Sequence, residues 1–318
     1  MSTAWVFPGQ GSQAVGMGRD LYEQMPSARA IFDQADEVLG FPITRLCFEG
    51  PEAELTATEN AQPALLTVSA ALVRTLEDLG GAGLERPMAV AGHSLGEYSA
   101  LVAGDALDFP TALRLVRRRG ELMAAAHEGS MAAVIGLAQD VLEQICQDIS
   151  AAPGASGAAS TVVVANYNAP DQLVISGGTQ AVERAGQLAK ERGAKRVLPL
   201  KVSAAFHSPL MRQASEGMAH ELEHADVRDL AVPLIANVTA QELRSADEVR
   251  REAVAQIVAP VRWVASIQAM AERGCTTFVE IGPGKVLTGL IRRIAPQARL
   301  VTISSVADVR AFIAEGRS

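Results

Sequence analysis

Two hydrophobic rhythms run along the 318-residue chain. Short apolar runs rich in β-branched and aromatic side chains predict strands at Ala4–Phe7, Met88–Ala91, Val162–Asn166, Leu173–Ser176, Arg196–Leu200, Pro233–Asn237, Thr276–Ile281 and Leu300–Ile303. Between most of them apolar residues recur three and four positions apart, the spacing of one helix face. Helices are therefore expected over stretches such as 61–79, 95–103, 111–126, 178–192 and 209–223. Strands that alternate with helices indicate the α/β class.

The segment Met131–Leu200 departs from this rhythm. Its order is strand (131–137), helix (139–149), strand (162–167), strand (172–176), helix (178–192), strand (195–200), the βαββαβ arrangement of ferredoxin-like units. Asn168-Ala169-Pro170-Asp171 supplies the turn of the strand pair, and the Ala/Gly/Ser-rich stretch 151–160 reads as a surface loop. The expected organisation is an α/β body formed by 1–129 and 201–318, interrupted by a small subdomain at 130–200. No repeat of solenoid length is present.

Two glycine clusters invite a phosphate-binding reading, and both fail it. The stretch Gly9-Gln10-Gly11-Ser12-Gln13-Ala14 has G-x-G-x-x-A spacing just after a strand. A dinucleotide site also needs an acid at a second strand tip about 20 residues later. Asp33 and Asp36 lie at that distance, but Ile31, Phe32, Ala35, Val38 and Leu39 recur at helical spacing, which assigns both acids to a helix. Pro8 also occupies the start of the turn. The second cluster, Gly282-Pro283-Gly284-Lys285, lacks the Walker spacing and has Val286 where the metal-binding hydroxyl belongs. A tight strand-to-helix turn is expected there.

Composition narrows the field further. The formal net charge of −8 argues against sequence-independent nucleic-acid binding, which needs a basic face. The three cysteines, Cys47, Cys146 and Cys275, are odd in number and widely spaced, so neither a disulfide framework nor a zinc cage is expected. No targeting segment or membrane-spanning run is recognisable, and a cytoplasmic protein without a membrane partner is the expectation.

The candidate chemistry centres on Gly92-His93-Ser94-Leu95-Gly96, a G-x-S-x-G sequence between an expected strand and an expected helix. Small glycines allow the chain to bend sharply, so the Ser94 hydroxyl projects from the strand tip. The Leu95 N–H points into the same space at a helix N-terminus, suited to a developing oxyanion. Ser94 with Glu97 also matches a capping box, which capping and catalysis can share.

A serine nucleophile requires a base. Of the five histidines, His220 and His224 are one turn apart and could pair on a metal, but Glu216, Glu221 and Glu223 mark a solvated face. His127 falls in a loop and His93 within the elbow itself. His207 ends the run Val202-Ser203-Ala204-Ala205-Phe206, directly before Ser208-Pro209, a cap and first-turn proline. That is where an α/β fold presents a base beside its strand tips.

One arginine lies on an apolar face. Ala112, Val116, Met123 and Ala126 share a side of the helix over 111–126, and Arg119 falls in its middle, while Arg114, Arg117 and Arg118 project opposite with Glu121. A guanidinium in such surroundings needs an anionic partner. Two readings stand: an ion pair with a distant Asp or Glu, or a clamp for a substrate carboxylate.

Taken together, the motifs resemble malonyl-CoA:acyl-carrier-protein transacylases and the related acyltransferases of polyketide synthesis. The likeness spans essentially the whole chain through FPGQGSQ (7–13), QPALLT (62–67), GHSLGEYSAL (92–101), RG (119–120), NYNAP (166–170), AAFHSPLM (204–211), QIVAPVRW (256–263) and EIGPGKVL (280–287). It implies an α/β-hydrolase-like catalytic body with an inserted ferredoxin-like subdomain. It also implies Ser94 as the acyl carrier and His207 as general base and acid, with Gln10 and Leu95 as backbone donors of the oxyanion hole. Arg119 would pair with the malonyl carboxylate, a main-chain carbonyl near Gln256 would orient the imidazole, and Asn168, with Asn166, would line the pocket. Phe206 resembles the malonyl-selecting form of its motif, although Ala204 stands where polyketide relatives often have histidine.

The implied reaction moves malonyl from CoA to the phosphopantetheine thiol of an acyl carrier protein, with no bound cofactor and no metal, in a monomer. Three rivals compete with it. A serine hydrolase or thioesterase could use the same elbow with Asp171 as third member. A trans-acting polyketide acyltransferase would take another carboxylated extender unit, and a silent docking subunit would bind carrier protein without chemistry. The carrier protein is expected to meet a basic rim that could include Arg117, Lys190, Lys195, Lys285 or Arg292.

Overall fold

The computed structural model describes residues 2–126, 128–152, 157–200, 202 and 204–316. His127, Ser203 and residues 153–156 of the anticipated surface loop lie outside them. Among the described residues ten strands form two sheets: β1 (Thr3–Phe7), β2 (Ala89–Gly92), β3 (Ser130–Ile135), β4 (Val162–Ala169), β5 (Gln172–Gly177), β6 (Arg196–Pro199), β7 (Leu234–Ile235), β8 (Glu242–Leu243), β9 (Thr277–Ile281) and β10 (Arg299–Ile303).

The larger sheet has the order β10-β9-β1-β2-β7-β8, parallel except at the β7–β8 edge. Alternate residues of β1 serve opposite faces, as the two-residue period of a strand requires. Trp5 and Phe7 join the core beneath the helices Pro26–Leu39, Thr58–Gly80 and Phe109–Ala124, whereas Ala4 and Val6 pack with Trp263, Ile267, Leu287 and Leu290. Both faces are covered, the usual condition of a parallel sheet.

Residues 130–199 contain the whole of the smaller sheet, ordered β4-β5-β3-β6 with every neighbouring pair antiparallel. Each βαβ connection thus straddles one intervening strand, the split βαβ pattern. Ala132, Val134, Val164 and Ile175 pack under the helices Gln139–Ser150 and Thr179–Glu191, while Met131, Ala133, Ala165 and Val174 turn the other way into the main core. The small sheet is bonded to the body by its second face.

Several boundaries differ from the sequence expectation, each for a local reason. Strand β7 covers only Leu234–Ile235, because the Asn237 and Val238 N–H groups donate to Glu97 and Glu252 side chains at 2.6 and 2.8 Å and not to a neighbouring strand. Strand β3 ends at Ile135, before Gly136 in the left-handed region at φ 78°. The helix expected over 111–126 begins at Phe109, where the Asp108 side chain accepts the Thr111 N–H at 2.7 Å. The segment 209–223 opens with a 3₁₀ turn, Pro209–Met211, before the helix Arg212–His224. Strand β8 had no counterpart in the hydrophobic pattern.

The helix Thr58–Gly80 contains Pro63, which has no N–H to return to Glu59. That carbonyl accepts instead from Arg117 Nη1 at 3.0 Å. Gly120 brings the helix Phe109–Ala124 against the same point: a Cβ there would lie 2.7 Å from Glu59 Cα. The close crossing carries Arg119 into the centre of the molecule.

Candidate active site

Strand register assembles the site. Phe7 pairs with Gly92, so β1 and β2 end level and their following loops leave the sheet side by side. This C-terminal edge is where open α/β sheets bind ligands. The elbow after β2 is tight: a Cβ on Gly92 would lie 1.8 Å from the Gly96 carbonyl carbon, and one on Gly96 would lie 2.1 Å from the Phe7 carbonyl oxygen. Ser94 adopts φ 52°, a left-handed conformation that side chains other than glycine seldom take. A Cβ on Gly9 would meet the His93 carbonyl at 2.4 Å, so the first loop presses directly on the elbow. Among the described residues, the N–H groups of Gln10 and Leu95 donate to no protein acceptor. Leu95 directly precedes the helix Gly96–Ala103.

Two predicted residues, His207 and Arg119, converge on the Ser94 hydroxyl, and a third, Gln256, bonds to both of them. His207 Nε2 lies 2.8 Å from Ser94 Oγ, and its Nδ1–H donates to the Gln256 carbonyl at 2.8 Å. That second bond fixes the tautomer, leaving the Nε2 lone pair facing the hydroxyl. His207 is 4 % exposed, and burial followed by the Arg119 charge lowers its pKa to about 3. The imidazole is therefore neutral and able to accept a proton. Like Ser94 it holds a positive φ, 57°.

Arg119 is 1 % exposed. Its Nη2 donates to Ser94 Oγ at 3.2 Å and to Gln256 Oε1 at 2.9 Å, and its Nη1 donates to Gln62 Oε1 at 2.8 Å. Its Nε has no partner. Among the described residues no carboxylate pairs with it directly, so the ion-pair reading of the sequence is not realised: the partners are neutral amides. Burial lowers its pKa from the usual arginine value. A buried cation whose bonds are all to uncharged groups, beside a nucleophile, leaves an anion's place open.

Beneath this layer lie Asn237 and Glu252, to which the sequence assigned no role, and Glu97, whose expected capping box with Ser94 does not form because its carboxyl turns inward. Asn237, fully buried, accepts the Ser94 N–H on Oδ1 at 2.7 Å and donates Nδ2 to the Gly92 carbonyl at 2.7 Å, tying both ends of the elbow. Glu97 accepts the Asn237 N–H at 2.6 Å and a short bond from Gln256 Nε2. Glu252 lies against Glu97: burial, then the Glu252 charge, raises the Glu97 carboxyl well above the ordinary range, and burial raises that of Glu252. Gln62 and Asn237 each end or interrupt an apolar run, and a polar side chain at such a position was the available signal.

The remaining candidates separate. Asn168 is half-buried at the end of β4, and its Oδ1 accepts from His93 Nε2 at 2.7 Å, with Trp263 edge-on to the His93 ring. Phe206 is buried immediately before His207. Asn166 is buried and bridges to Val261. Asp171 does not reach His207: it pairs with Arg293 at 2.7 Å in the subdomain's hairpin. His220, Glu223 and His224 are exposed, with ligand atoms within 4.8 Å of one another. The acids considered for a dinucleotide, Asp33 and Asp36, lie on the helix Pro26–Leu39.

Known proteins give the geometry a setting. The acyl transferase domain family matches residues 4–308. The malonyl CoA-acyl carrier protein transacylase of Bacillus subtilis (strain 168) is 45% identical over 304 residues, covering 95% of this chain and 93% of its own. The crystal structure of an acyl carrier protein S-malonyltransferase from Vibrio cholerae superposes with a TM-score of 0.92 at 41% identity, over 98% of this chain and 100% of that one. A malonyl-transacylase in complex with a type II polyketide acyl-carrier protein superposes at 0.93 and 39% identity, over 99% and 100% of the two chains.

Proposed function

From the premise that the chain belongs to the acyl transferase family, among the malonyl-CoA:acyl-carrier-protein transacylases, we propose that its malonyl transfer runs through an ester on Ser94. The reaction takes malonyl from coenzyme A and delivers it to a carrier-protein thiol. One observation carries the assignment of roles: a single hydroxyl lies 2.8 Å from a neutral imidazole and 3.2 Å from a guanidinium that has no carboxylate partner among the described residues.

In the first half-reaction Ser94 Oγ attacks the thioester carbonyl while its proton passes to His207 Nε2. The Gln256 carbonyl, accepting from Nδ1–H, steadies the imidazolium. The oxyanion falls between the Gln10 and Leu95 N–H groups, donors of a kind worth roughly 2.7–4 kcal/mol each. The carbon–sulfur bond breaks and the departing CoA sulfur takes the proton from His207. In the second half the pantetheine thiol gives His207 its proton and attacks the ester carbonyl. Ser94 leaves with that proton restored, a ping-pong sequence. Arg119 holds the malonyl carboxylate, which supplies the anion its environment lacks. Phe206 crowds any α-branch on the acyl group, a preference of about 1–3 kcal/mol. Asn168, held by His93, lines the pocket wall. Side chains and backbone of this chain carry every step, and pantetheine arrives on both substrates.

We assign catalysis to the body, 1–129 and 201–318, and a wall of the cleft to the subdomain, 130–200, within a monomeric cytoplasmic enzyme. Three free buried cysteines are consistent with a reducing compartment, and among the described residues no helix is long and apolar enough to cross a membrane.

The test is mass spectrometry of the protein mixed with malonyl-CoA. A malonyl adduct on Ser94 that discharges to carrier protein is expected, and absence of the adduct would overturn the reading. Arg119→Ala should lower kcat/KM for malonyl-CoA by about 2–5 kcal/mol while improving acetyl-CoA relative to malonyl-CoA. An unchanged ratio would refute the clamp.

A further inference from the structure

The geometry points to Glu97 as a positioning residue for Arg119, acting through the amide of Gln256. The inference rests on the malonyl-transfer reading and names a residue that makes the anion site selective.

Arg119 must face the acyl group without being neutralised by a protein carboxylate. Besides the Ser94 hydroxyl, its acceptors are the amide oxygens of Gln62 and Gln256, at 2.8 and 2.9 Å. An amide can present oxygen or NH2, so something must set its orientation. For Gln256 two acceptors do so: Nε2 donates to the Ser94 carbonyl at 3.0 Å and to Glu97 Oε2. With the NH2 group engaged on that side, Oε1 is turned toward the guanidinium. Glu97 thereby lies one amide away from Arg119, close enough to favour its charge and too far to occupy its donors.

Both Glu97 oxygens accept N–H bonds, Oε1 from the Asn237 backbone and Oε2 from Gln256, so the carboxyl is held with one edge toward the amide. The partner Glu252 accepts the Val238 N–H at 2.8 Å on Oε1. One proton shared by the two buried carboxyls leaves a single charge on the pair, while the Asn237 and Gln256 N–H groups keep the Glu97 oxygens in place. Two ionised carboxylates at this depth would repel strongly.

The isosteric variants separate the two members. In Glu97→Gln the new amide keeps its oxygen on the Asn237 N–H, since a backbone group cannot turn away. Its NH2 then faces Gln256, whose amide must flip and aim NH2 at the guanidinium. In Glu252→Gln the new NH2 donates to Glu97 and the new oxygen accepts from Val238, so every bond is kept.

Two readouts need no transfer step: affinity for free malonate by titration calorimetry, and inactivation of Ser94 by a neutral fluorophosphonate. Glu97→Gln should weaken malonate binding ~tenfold or more, the scale of a mispaired buried donor. Its inactivation rate should stay within about threefold of wild type, because Asn237 still ties both ends of the elbow although the flipped Gln256 no longer donates to the Ser94 carbonyl. Glu252→Gln should bind malonate within about threefold of wild type. Equal malonate affinity in Glu97→Gln, a parallel loss of both readouts, or greater damage from Glu252→Gln would each overturn the proposal. Failure of the transfer reading would look different: wild type would bind malonate and react with the fluorophosphonate, yet fail to move malonyl to carrier protein.

Discussion

The imidazole of His207 works in surroundings that disfavour its charged form. Burial and the Arg119 cation lower its pKa to about 3, whereas the same side chain in the unfolded protein titrates near ~6.5. Between those values the unfolded state binds a proton that the folded state does not. The stability His207 contributes is complete above pH ~6.5 and is lost as pH falls toward 3, with a slope approaching ~1.4 kcal/mol per pH unit. Urea unfolding of wild type and His207→Gln across pH 4–7 should show a shallower acid slope in the variant; equal slopes would mean that the folded protein protonates this histidine. Ser94 and His207 both hold left-handed backbone conformations, at 52° and 57°. Such conformations cost about 1–3 kcal/mol each, and here they aim the nucleophile and its base at each other.

Among the elements, the crossing of the helices Thr58–Gly80 and Phe109–Ala124 decides how deep the anion site lies. Pro63 frees the Glu59 carbonyl, Arg117 takes it, and Gly120 allows backbone-to-backbone approach at that point. Gly120→Ala has the better helix former but no room, since its Cβ would lie 2.7 Å from Glu59 Cα. The variant should lose about 1–3 kcal/mol in denaturant unfolding and show a raised KM for malonyl-CoA as Arg119 moves with its helix. Unchanged stability would show that the crossing can open without strain.

For the molecule as a whole, the partner is a carrier protein and the net charge is −8, so attraction must come from a local patch. Of the residues expected in a basic rim, Arg117 is engaged inward with Glu59, Asn60 and Glu121, and Lys190 and Lys195 lie exposed on the subdomain. Lys285 is exposed in the turn after β9, whose Gly284 lies close to Ser12 of the first loop. That places an exposed cation, without an ion-pair partner among the described residues, next to the first loop. Lys285→Glu should raise the KM for carrier protein and reduce its dependence on salt, while malonyl-enzyme formation from malonyl-CoA is unaffected. An unchanged carrier-protein KM would remove Lys285 from the rim.

The sequence by itself determined the class of fold, the order of the small sheet's elements and the elbow. These depend on local signals: a two-residue or 3.6-residue apolar period, and glycines where Gly92 and Gly96 permit no Cβ. It also exposed Arg119 as a cation out of place, because a helix face can be read from spacing alone. Only the tertiary structure decided what surrounds that cation. Gln62, Gln256, Asn237, Glu97 and Glu252 come from distant segments, and their value lies in which atom of each amide or carboxyl faces which donor. Hydrogen-bond direction across such distances leaves no periodic trace, since it is set by how strands β1, β2 and β7 align their ends.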